Sequence, residues 1–262
     1  MDDDIGKLIE YIFDDSLNSD ETLVDTGFNH LTRGLVRTLC PGVFINGEVL
    51  NVVCEMNTRR EQQVSTESRS SWYLNTRMTC IGISIQNLFP QSGRSDSARK
   101  LFIGDLNLCG KIKIPVHNEE MQHWVLFIVH VGNGVVEICD SFLLGRKESL
   151  SQSLVPVVLQ QLDLVLRDEL SRWKGPVKSF TCFKAFTNNE VVQQSNGYDC
   201  GIHVINWMAQ RNPSNFKPKG YNSDDERAHV AVGLVTSLHN KVRDQVRAST
   251  RTKTNSARCV GK

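Results

Sequence analysis

The chain has 262 residues, which suits one large domain or one domain with extensions, and its 40% hydrophobic content can build a full core. Its net charge of +1 gives no global reason to expect binding to nucleic acid or to a membrane. The eight cysteines form no Cys-x-x-Cys pair, the N-terminus lacks a secretory signal and no apolar run could span a membrane, so we expect an intracellular protein with mostly buried, reduced thiols.

The two ends of the chain carry opposite charge. Residues 1–27 form an acidic extension, in which residues 5–13 space apolar side chains on one helical face that packs on the domain or docks a partner. Residues 248–262 are basic, and we expect a flexible tail. Two solvated ends are the simpler interpretation of this asymmetry, and contact of the basic tail with an acidic partner is the alternative.

The next elements are a helix and two polar stretches. Residues 47–56 are predicted to be helical, and the polar stretch 59–71 predicts the end of that helix and a loop. Residues 91–100, rich in Ser, Arg and Asp, predict a surface loop.

The centre of the chain predicts three strands. Residues 111–116 alternate between polar and apolar, residues 124–131 form an apolar run typical of a buried strand, and residues 135–139 return after Asn133-Gly134. Asn-Gly predicts a two-residue hairpin turn between the second and third strands.

The C-terminal half predicts three helices and a fourth strand. Apolar residues follow a helical stripe over 150–173, where Pro156 fits only near the first turn, and residues 179–186 predict a strand. Residues 200–209 predict an apolar helix, and the stripe of Val230, Leu234, Leu238 and Val242 predicts a last one. The pattern as a whole predicts an α+β fold, with helices flanking a mostly antiparallel central sheet.

A candidate catalytic set combines residues from three distant parts of the chain. Cys200 opens a predicted helix, where unpaired N–H groups and the helix dipole favour a thiolate. His123 begins one strand of the predicted hairpin and Asp140 ends the other, so both side chains can meet at one end of the sheet. We expect Asp140 to accept from Nδ1–H of His123, leaving Nε2 to serve Cys200 as a base.

Two further residues fit this chemistry. Gln194 lies six residues before Cys200, where its amide could donate to an oxyanion together with the Cys200 N–H, and Gly201 leaves room for a carbonyl. The other histidines are given no catalytic role. His203 is predicted to pack on its helix, His130 to belong to the core, and His117 to line the site at most.

Six stretches resemble the ubiquitin-like-protein-specific proteases, the SUMO protease family of papain-like cysteine peptidases, and most of all its plant members. They are spread over roughly residues 30–215, which is most of the chain. They are Pro41–Asn51, Trp72–Thr76, Ile114–His117, His123-Trp124, Asp140-Ser141 and Gln194–Gly201.

The resemblance implies the papain-like fold, with the nucleophile at a helix N-terminus, and cleavage after the Gly-Gly terminus of a SUMO-like modifier. It implies that Trp124 clamps the Gly-Gly tail, that Phe44 stands where the family has a second tryptophan, and that Asn46 belongs to the same substrate-binding motif. Gly47 replaces an aspartate that the family pairs with an arginine of the modifier, which predicts weakened or altered modifier choice.

The resulting hypothesis is a cysteine isopeptidase that processes or deconjugates SUMO, with no cofactor and no metal. A non-catalytic modifier-binding module and an acetyltransferase of the same fold remain alternatives. The predicted domains are the extension 1–27, a catalytic domain 28–215, a helical segment 216–247 and the tail 248–262. We expect a monomer, without nucleic-acid or membrane partners, and nuclear or nucleocytoplasmic placement from the resemblance.

Overall fold

A computed structural model describes residues 3–64, 70–79, 100–175, 178–216 and 219–260. It divides into two compact units, the first formed by Met1–Val52 with Gly220–Lys262 and the second by Val53–Lys219. The surface loop predicted over 91–100 falls outside the described residues except for Lys100. Within the described residues, no helix combines the length and the apolarity needed to cross a bilayer.

The helices and strands within the described residues are numbered here in chain order. The helices are α1 (Asp3–Phe13), α2 (Arg33–Val36), α3 (Gly47–Val64), α4 (Val155–Val165), α5 (Arg167–Arg172), α6 (Cys200–Ala209), α7 (Ser223–Thr236) and α8 (Arg243–Val260). The strands are β1 (Thr22–Asp25), β2 (His30–Thr32), β3 (Ser71–Tyr73), β4 (Lys111–Asn118), β5 (His123–His130), β6 (Val135–Cys139) and β7 (Lys184–Thr187).

The first unit is organised around two buried polar side chains. Arg33 is fully buried, and its guanidinium donates to the carbonyls of Tyr11 and Ile12 at the end of α1 and to Glu21. Asn240 accepts from the N–H of Asp25 and donates to the carbonyl of Leu23, which fixes it to the antiparallel pair β1–β2. The basic stretch expected to be flexible is helical as far as Val260.

The last apolar stripe does not form one helix. Helix α7 ends at Thr236, and Leu238 is 82% exposed. Asn240 explains the break, because its side chain donates to the carbonyl of Val235 and accepts from the N–H of Val242. The predicted helix is therefore wrong beyond Thr236.

The second unit contains a mixed sheet with the strand order β3-β4-β5-β6-β7. Strands β4, β5 and β6 pair antiparallel, whereas β3 and β7 pair parallel at the two edges. The α+β class is confirmed, and the central sheet is mixed, with an antiparallel centre and one parallel strand at each edge. Parallel pairing requires a crossover, and the segment that carries α4 and α5 supplies one between β6 and β7.

The central strands form where the sequence predicts them, but the elements that connect and follow them differ from the predictions. The β5–β6 turn is not a two-residue hairpin, because His130 pairs with Val135 and the connection contains a 3₁₀ turn (Val131–Asn133) closed by left-handed Gly134. The helix predicted over 150–173 begins as a 3₁₀ turn and breaks at Leu166, although Pro156 does lie in the first turn of α4. The strand predicted over 179–186 is shortened to β7 by a 3₁₀ turn (Phe180–Cys182) that Ser179 caps.

Candidate active site

Cys200 is the first residue of α6, as the sequence predicted, and is only 1% exposed. The loop before it is closed by Asn196, which accepts from the N–H groups of Tyr198 and Asp199 and donates to the Asp199 carboxylate. The N–H of His203 donates to the Asp199 carbonyl, the first bond of the helix. The N–H groups of the first turn, including that of Cys200, therefore have no acceptor within the helix and favour negative charge near the sulfur.

His123 and Asp140 meet at one end of the sheet. His123 begins β5, and Asp140 directly follows β6, whose last residue Cys139 pairs with Leu126. Nε2 of His123 lies 2.7 Å from Oδ1 of Asp140, and both side chains are buried. The antiparallel pairing thus brings together two residues that are 17 positions apart in the sequence.

The ring nitrogens of His123 have the reverse of the predicted roles. Asp140 contacts Nε2 rather than Nδ1, so Nδ1 is the nitrogen left for Cys200. The sequence could predict that the two residues meet, but not which nitrogen faces the carboxylate. That choice depends on the side-chain torsions of His123, which the packing around the ring sets.

The surroundings of His123 favour the imidazolium. Burial by itself lowers the pKa of His123, but hydrogen bonds and charge interactions with Asp140 and Cys200 outweigh it and raise the pKa to about 9. Cys200 is one of the two groups that raise this pKa, so the thiol and the ring interact. A histidine with this pKa carries its positive charge at neutral pH and can stabilise a neighbouring thiolate.

Asp140 has two hydrogen-bond partners in addition to His123. Its Oδ1 also accepts from the N–H of Phe142 at 2.8 Å, and its Oδ2 accepts from Oγ of Ser149 at 2.6 Å. Burial favours the neutral acid, but hydrogen bonds from His123, Ser149 and Phe142 prevail and lower the pKa of Asp140. The carboxylate is therefore charged and fixed in orientation at neutral pH.

The two loops that carry Asp140 and Gln194 are joined by hydrogen bonds. The N–H of Gln194 donates to the carbonyl of Ser141, and Oγ of Ser141 donates to Oε1 of Gln194 at 2.6 Å. Gln193 donates to the carbonyl of Asp140 and accepts from the N–H of Leu143. Nε2 of Gln194 donates to the carbonyl of Asn196 at 2.7 Å, which engages one of its two hydrogens.

Aromatic rings contact His123 and Trp124, the first two residues of β5. The ring of Phe142 lies 5.9 Å from that of His123, and the rings of Trp124 and His117 lie 4.5 Å apart across the β4–β5 pair. Trp124 is 7% exposed, so its face is covered in the structure.

Residues 88–216 match the model of the Ulp1 protease family, C-terminal catalytic domain. This segment of the chain is thus similar to a Ulp1-family catalytic domain. The resemblance stated from the motifs is thereby confirmed, and the site geometry lies within the matched residues.

Two curated relatives of this Ulp1-family domain come from Arabidopsis thaliana. Ubiquitin-like-specific protease ESD4 is 24% identical over 179 residues, and ubiquitin-like-specific protease 1A is 25% identical over 183 residues. Both alignments cover 68% of this chain and 34% of the relative. The chain thus spans about a third of the length of the curated relatives that it matches.

Solved structures of the family share the fold. SUMO protease Ulp1 with its catalytic cysteine oxidised to a sulfinic acid aligns with a TM-score of 0.63 at 18% identity. The C-terminal Ulp1 protease domain in complex with Smt3, the yeast orthologue of SUMO, gives 0.63 at 17% identity. Each alignment covers 92% of this chain and 97% of the other chain.

The remaining predicted binding residues are divided between the two units. Gly201 follows Cys200 in the buried first turn of α6. Phe44 and Asn46 belong to the first unit and precede the residues that match the Ulp1-family model. Phe44 is 50% exposed, and Asn46 accepts from the N–H of Glu48 in the first turn of α3. Their substrate-binding roles stay predictions.

Sequence reasoning missed four residues that support the Ulp1-family site: Ser141, Phe142, Ser149 and Gln193. The Asp-Ser and Gln-Gln pairs were visible, but nothing in the spacing shows that they bind each other. Ser149 carried no signal, because its contact with Asp140 depends on how the intervening loop turns back.

Two other histidines test the sequence interpretation. His203 packs on its helix as predicted; it is 2% exposed, its ring lies 5.5 Å from that of Trp207, and burial lowers its pKa to about 4. His130 is not a core residue, because it is partly exposed at the end of β5 and its Nε2 lies 2.7 Å from Glu137. Within the described ranges, no cluster of three or more histidine, cysteine or acidic side chains forms a metal site.

Proposed function

We propose that this chain is a cysteine-type peptidase and isopeptidase that cleaves after the C-terminal Gly-Gly of SUMO or a related ubiquitin-like modifier. One observation carries the proposal. His123 hydrogen-bonds Asp140 at 2.7 Å through one ring nitrogen and interacts with Cys200 at the start of a helix. A thiolate, an imidazolium and a fixed carboxylate are the parts that acyl transfer through sulfur requires.

The first half of the reaction forms a thioester. The Cys200 thiolate attacks the carbonyl carbon of the terminal glycine, and the carbonyl electrons move onto oxygen. We assign stabilisation of this oxyanion to the N–H of Cys200 and the second Nε2 hydrogen of Gln194. The C–N bond then breaks as His123 gives its Nδ1 proton to the departing lysine amine.

The second half releases the modifier. His123, now neutral, takes a proton from water while the water oxygen attacks the thioester carbonyl. The C–S bond breaks, the modifier leaves with a free carboxyl group, and the thiolate and imidazolium are restored. Asp140 stays charged in both halves and holds the imidazole in place.

The burial of Cys200 and His123 favours a substrate whose residues near the scissile bond have no side chains. Cys200 is 1% exposed and His123 is 4% exposed, so side chains of ordinary size near the scissile bond would clash. A Gly-Gly terminus has no side chains and suits such a site. The names of the Arabidopsis relatives and the Ulp1–Smt3 complex support a modifier of the SUMO class.

A modifier probe with a C-terminal electrophile tests the proposal. The wild-type protein should form a covalent adduct that mass spectrometry locates on Cys200, and Cys200→Ala should form none. Absence of any adduct across probes of several ubiquitin-like modifiers would refute it. Acetylation of Cys200 by acetyl-coenzyme A under the same conditions would favour the acetyltransferase alternative instead.

A further inference from the structure

Ser149 makes a buried hydrogen bond to the carboxylate that holds the histidine. Its Oγ lies 2.6 Å from Oδ2 of Asp140, and both residues are 4% exposed. The direction of the bond is fixed. Oγ of Ser149 also accepts from the N–H of Ser151 at 3.1 Å, and a backbone N–H can only donate. The ionised carboxylate of Asp140 can only accept, so the hydroxyl proton of Ser149 points to Oδ2.

The position of Ser149 is fixed from two sides. Its N–H donates to Oγ1 of Thr187, the last residue of β7, at 2.9 Å. Fully buried Ser151 lies in the 3₁₀ turn that Ser149 caps, and its Oγ accepts from Nδ2 of Asn118. Asn118 is in turn the register partner of His123 on the neighbouring strand. A chain of polar contacts thus runs from Ser149 back to the strand pair that carries the histidine.

We propose that Ser149 is a positioning residue that locks the rotation of the Asp140 carboxylate, so that Oδ1 stays aimed at Nε2 of His123. Oδ1 is engaged by His123 and the N–H of Phe142, whereas Ser149 provides the hydrogen bond to Oδ2. Without this hydroxyl, one oxygen of a buried carboxylate loses its partner, and rotation of the group is no longer opposed. Its effect on turnover rests on the proposed function, but its effect on the carboxylate and the imidazole does not.

Loss of the Ser149 hydroxyl changes the pKa of Asp140 in a defined direction. The Ser149 hydrogen bond helps to lower the pKa of Asp140, so its removal raises the pH at which the carboxylate becomes protonated. The groups that face this pair are His123 on β5 and Cys200 on α6, with weaker charge interactions between His123 and both His117 and His203. None of these is altered by substitution at Ser149.

Ser149→Ala is compared with Ser179→Ala as a matched control. Ser179 also caps a 3₁₀ turn and donates to an aspartate, Asp163, which has no part in the site. Ser149→Gly is a second variant, since glycine tolerates the cap position better than alanine, and Ser149→Thr keeps the hydroxyl. The readouts are the pH dependence of Cys200 alkylation by iodoacetamide, the solvent exchange of the His123 Nε2–H proton by NMR, and turnover of a modifier fusion.

In Ser149→Ala and Ser149→Gly, we expect the acid limb of the alkylation profile to move to higher pH and the His123 proton to exchange about 10-fold faster or more. We expect kcat to fall about 10-fold with KM within twofold, the scale of one hydrogen bond to a charged group. Ser149→Thr should restore all three. The proposal would be overturned if the acid limb of the alkylation profile and the exchange rate of the His123 proton were the same in Ser149→Ala as in Ser179→Ala. A wild-type protein inert to every modifier probe would refute the proposed function, while alkylation and proton exchange still decide the role of Ser149.

Discussion

Ser141 and Gln194 hold each other through two hydrogen bonds, from the Gln194 N–H to the Ser141 carbonyl and from Ser141 Oγ to Gln194 Oε1. The second bond orients the amide, because it assigns the oxygen to Ser141 and leaves the nitrogen to face the carbonyl of Asn196. The serine that follows Asp140 thus fixes the proposed oxyanion donor, while the aspartate itself fixes the proposed base.

We therefore expect Ser141→Ala to weaken catalysis through Gln194. Gln194→Ala should lower kcat by about 10²–10³, as loss of an oxyanion donor does. Ser141→Ala should lower it by about 10-fold, and the double variant should be no slower than Gln194→Ala alone. Steady-state kinetics on a modifier fusion give kcat for the wild type, both single variants and the double variant, which together form a double-mutant cycle. Additive losses in the double variant would mean that Ser141 acts independently of Gln194.

His123→Ala should abolish most turnover while leaving the fold intact. Cys200 loses its base and its counter-ion, and we expect kcat to fall by several decades. Circular dichroism and urea denaturation provide the control for folding. Activity close to that of the wild type, or a collapse of the fold in proportion to the loss of activity, would contradict the proposed role of His123.

Stability should depend on pH with two opposite contributions. The raised pKa of His123 stabilises the fold below its unfolded value of about 6.5, and that stability is lost as the pH rises through about 9. Lys113 behaves in the opposite way. Burial, followed by the charge of Lys111, lowers the pKa of Lys113 to about 8, so its cost to stability disappears as the pH rises from about 8 to about 10.5.

Lys113→Met should therefore remove the contribution that makes stability increase with pH between about 8 and 10.5. Nζ of Lys113 donates to the carbonyls of Met208 and Gln210 at the C-terminal end of α6, and these two hydrogen bonds offset only part of the cost of burying its charge. Urea denaturation between about pH 6 and 10 should show a steeper loss of stability above about pH 8 in Lys113→Met than in the wild type. Parallel curves for the two proteins would contradict the prediction.

Arg227 should be essential for the turn that precedes Phe44. Its side chain is fully buried in the first unit, and Nη1 lies 2.9 Å from the carbonyl of Val43 and 3.2 Å from that of Cys40. Arg227→Ala removes a buried guanidinium that donates to both carbonyls, and we expect the free energy of unfolding to fall by about 3 kcal/mol. Arg243 gives a control, because its guanidinium pairs with the exposed carboxylate of the neighbouring Asp244 and Arg243→Ala should cause no measurable change. Equal stability of both variants would show that the guanidinium is dispensable.

Gly47→Asp should increase affinity for a SUMO-like modifier. The resemblance implies an aspartate here that pairs with an arginine of the modifier, and a hydrogen bond between charged groups is worth about 10–100-fold in affinity. Calorimetry with the inactive Cys200→Ala background measures binding without turnover. Gly47→Asn is the control, because it matches the size of aspartate without its charge. An equal gain from both substitutions would exclude the charge as the cause.

The sequence predicted the α+β class, the central strands β4, β5 and β6, and the start of α6 at Cys200. Local patterns suffice for these, because a continuous apolar run marks a buried strand and an apolar stripe after a turn marks a helix. The sequence also predicted that His123 and Asp140 meet, since strands joined by a short connection place their outer ends side by side.

What only the tertiary structure decided were contacts between segments that are distant in sequence. The parallel edge strands, the choice of Nε2 as the nitrogen facing Asp140, and the hydrogen bond from Ser149 all depend on how loops and crossovers return to the sheet. The break after Thr236 has the same origin, because Asn240 satisfies the backbone of a strand more than two hundred residues earlier. Periodicity and propensity describe one segment at a time, whereas these features arise from buried polar groups that find their partners only when the segments pack together.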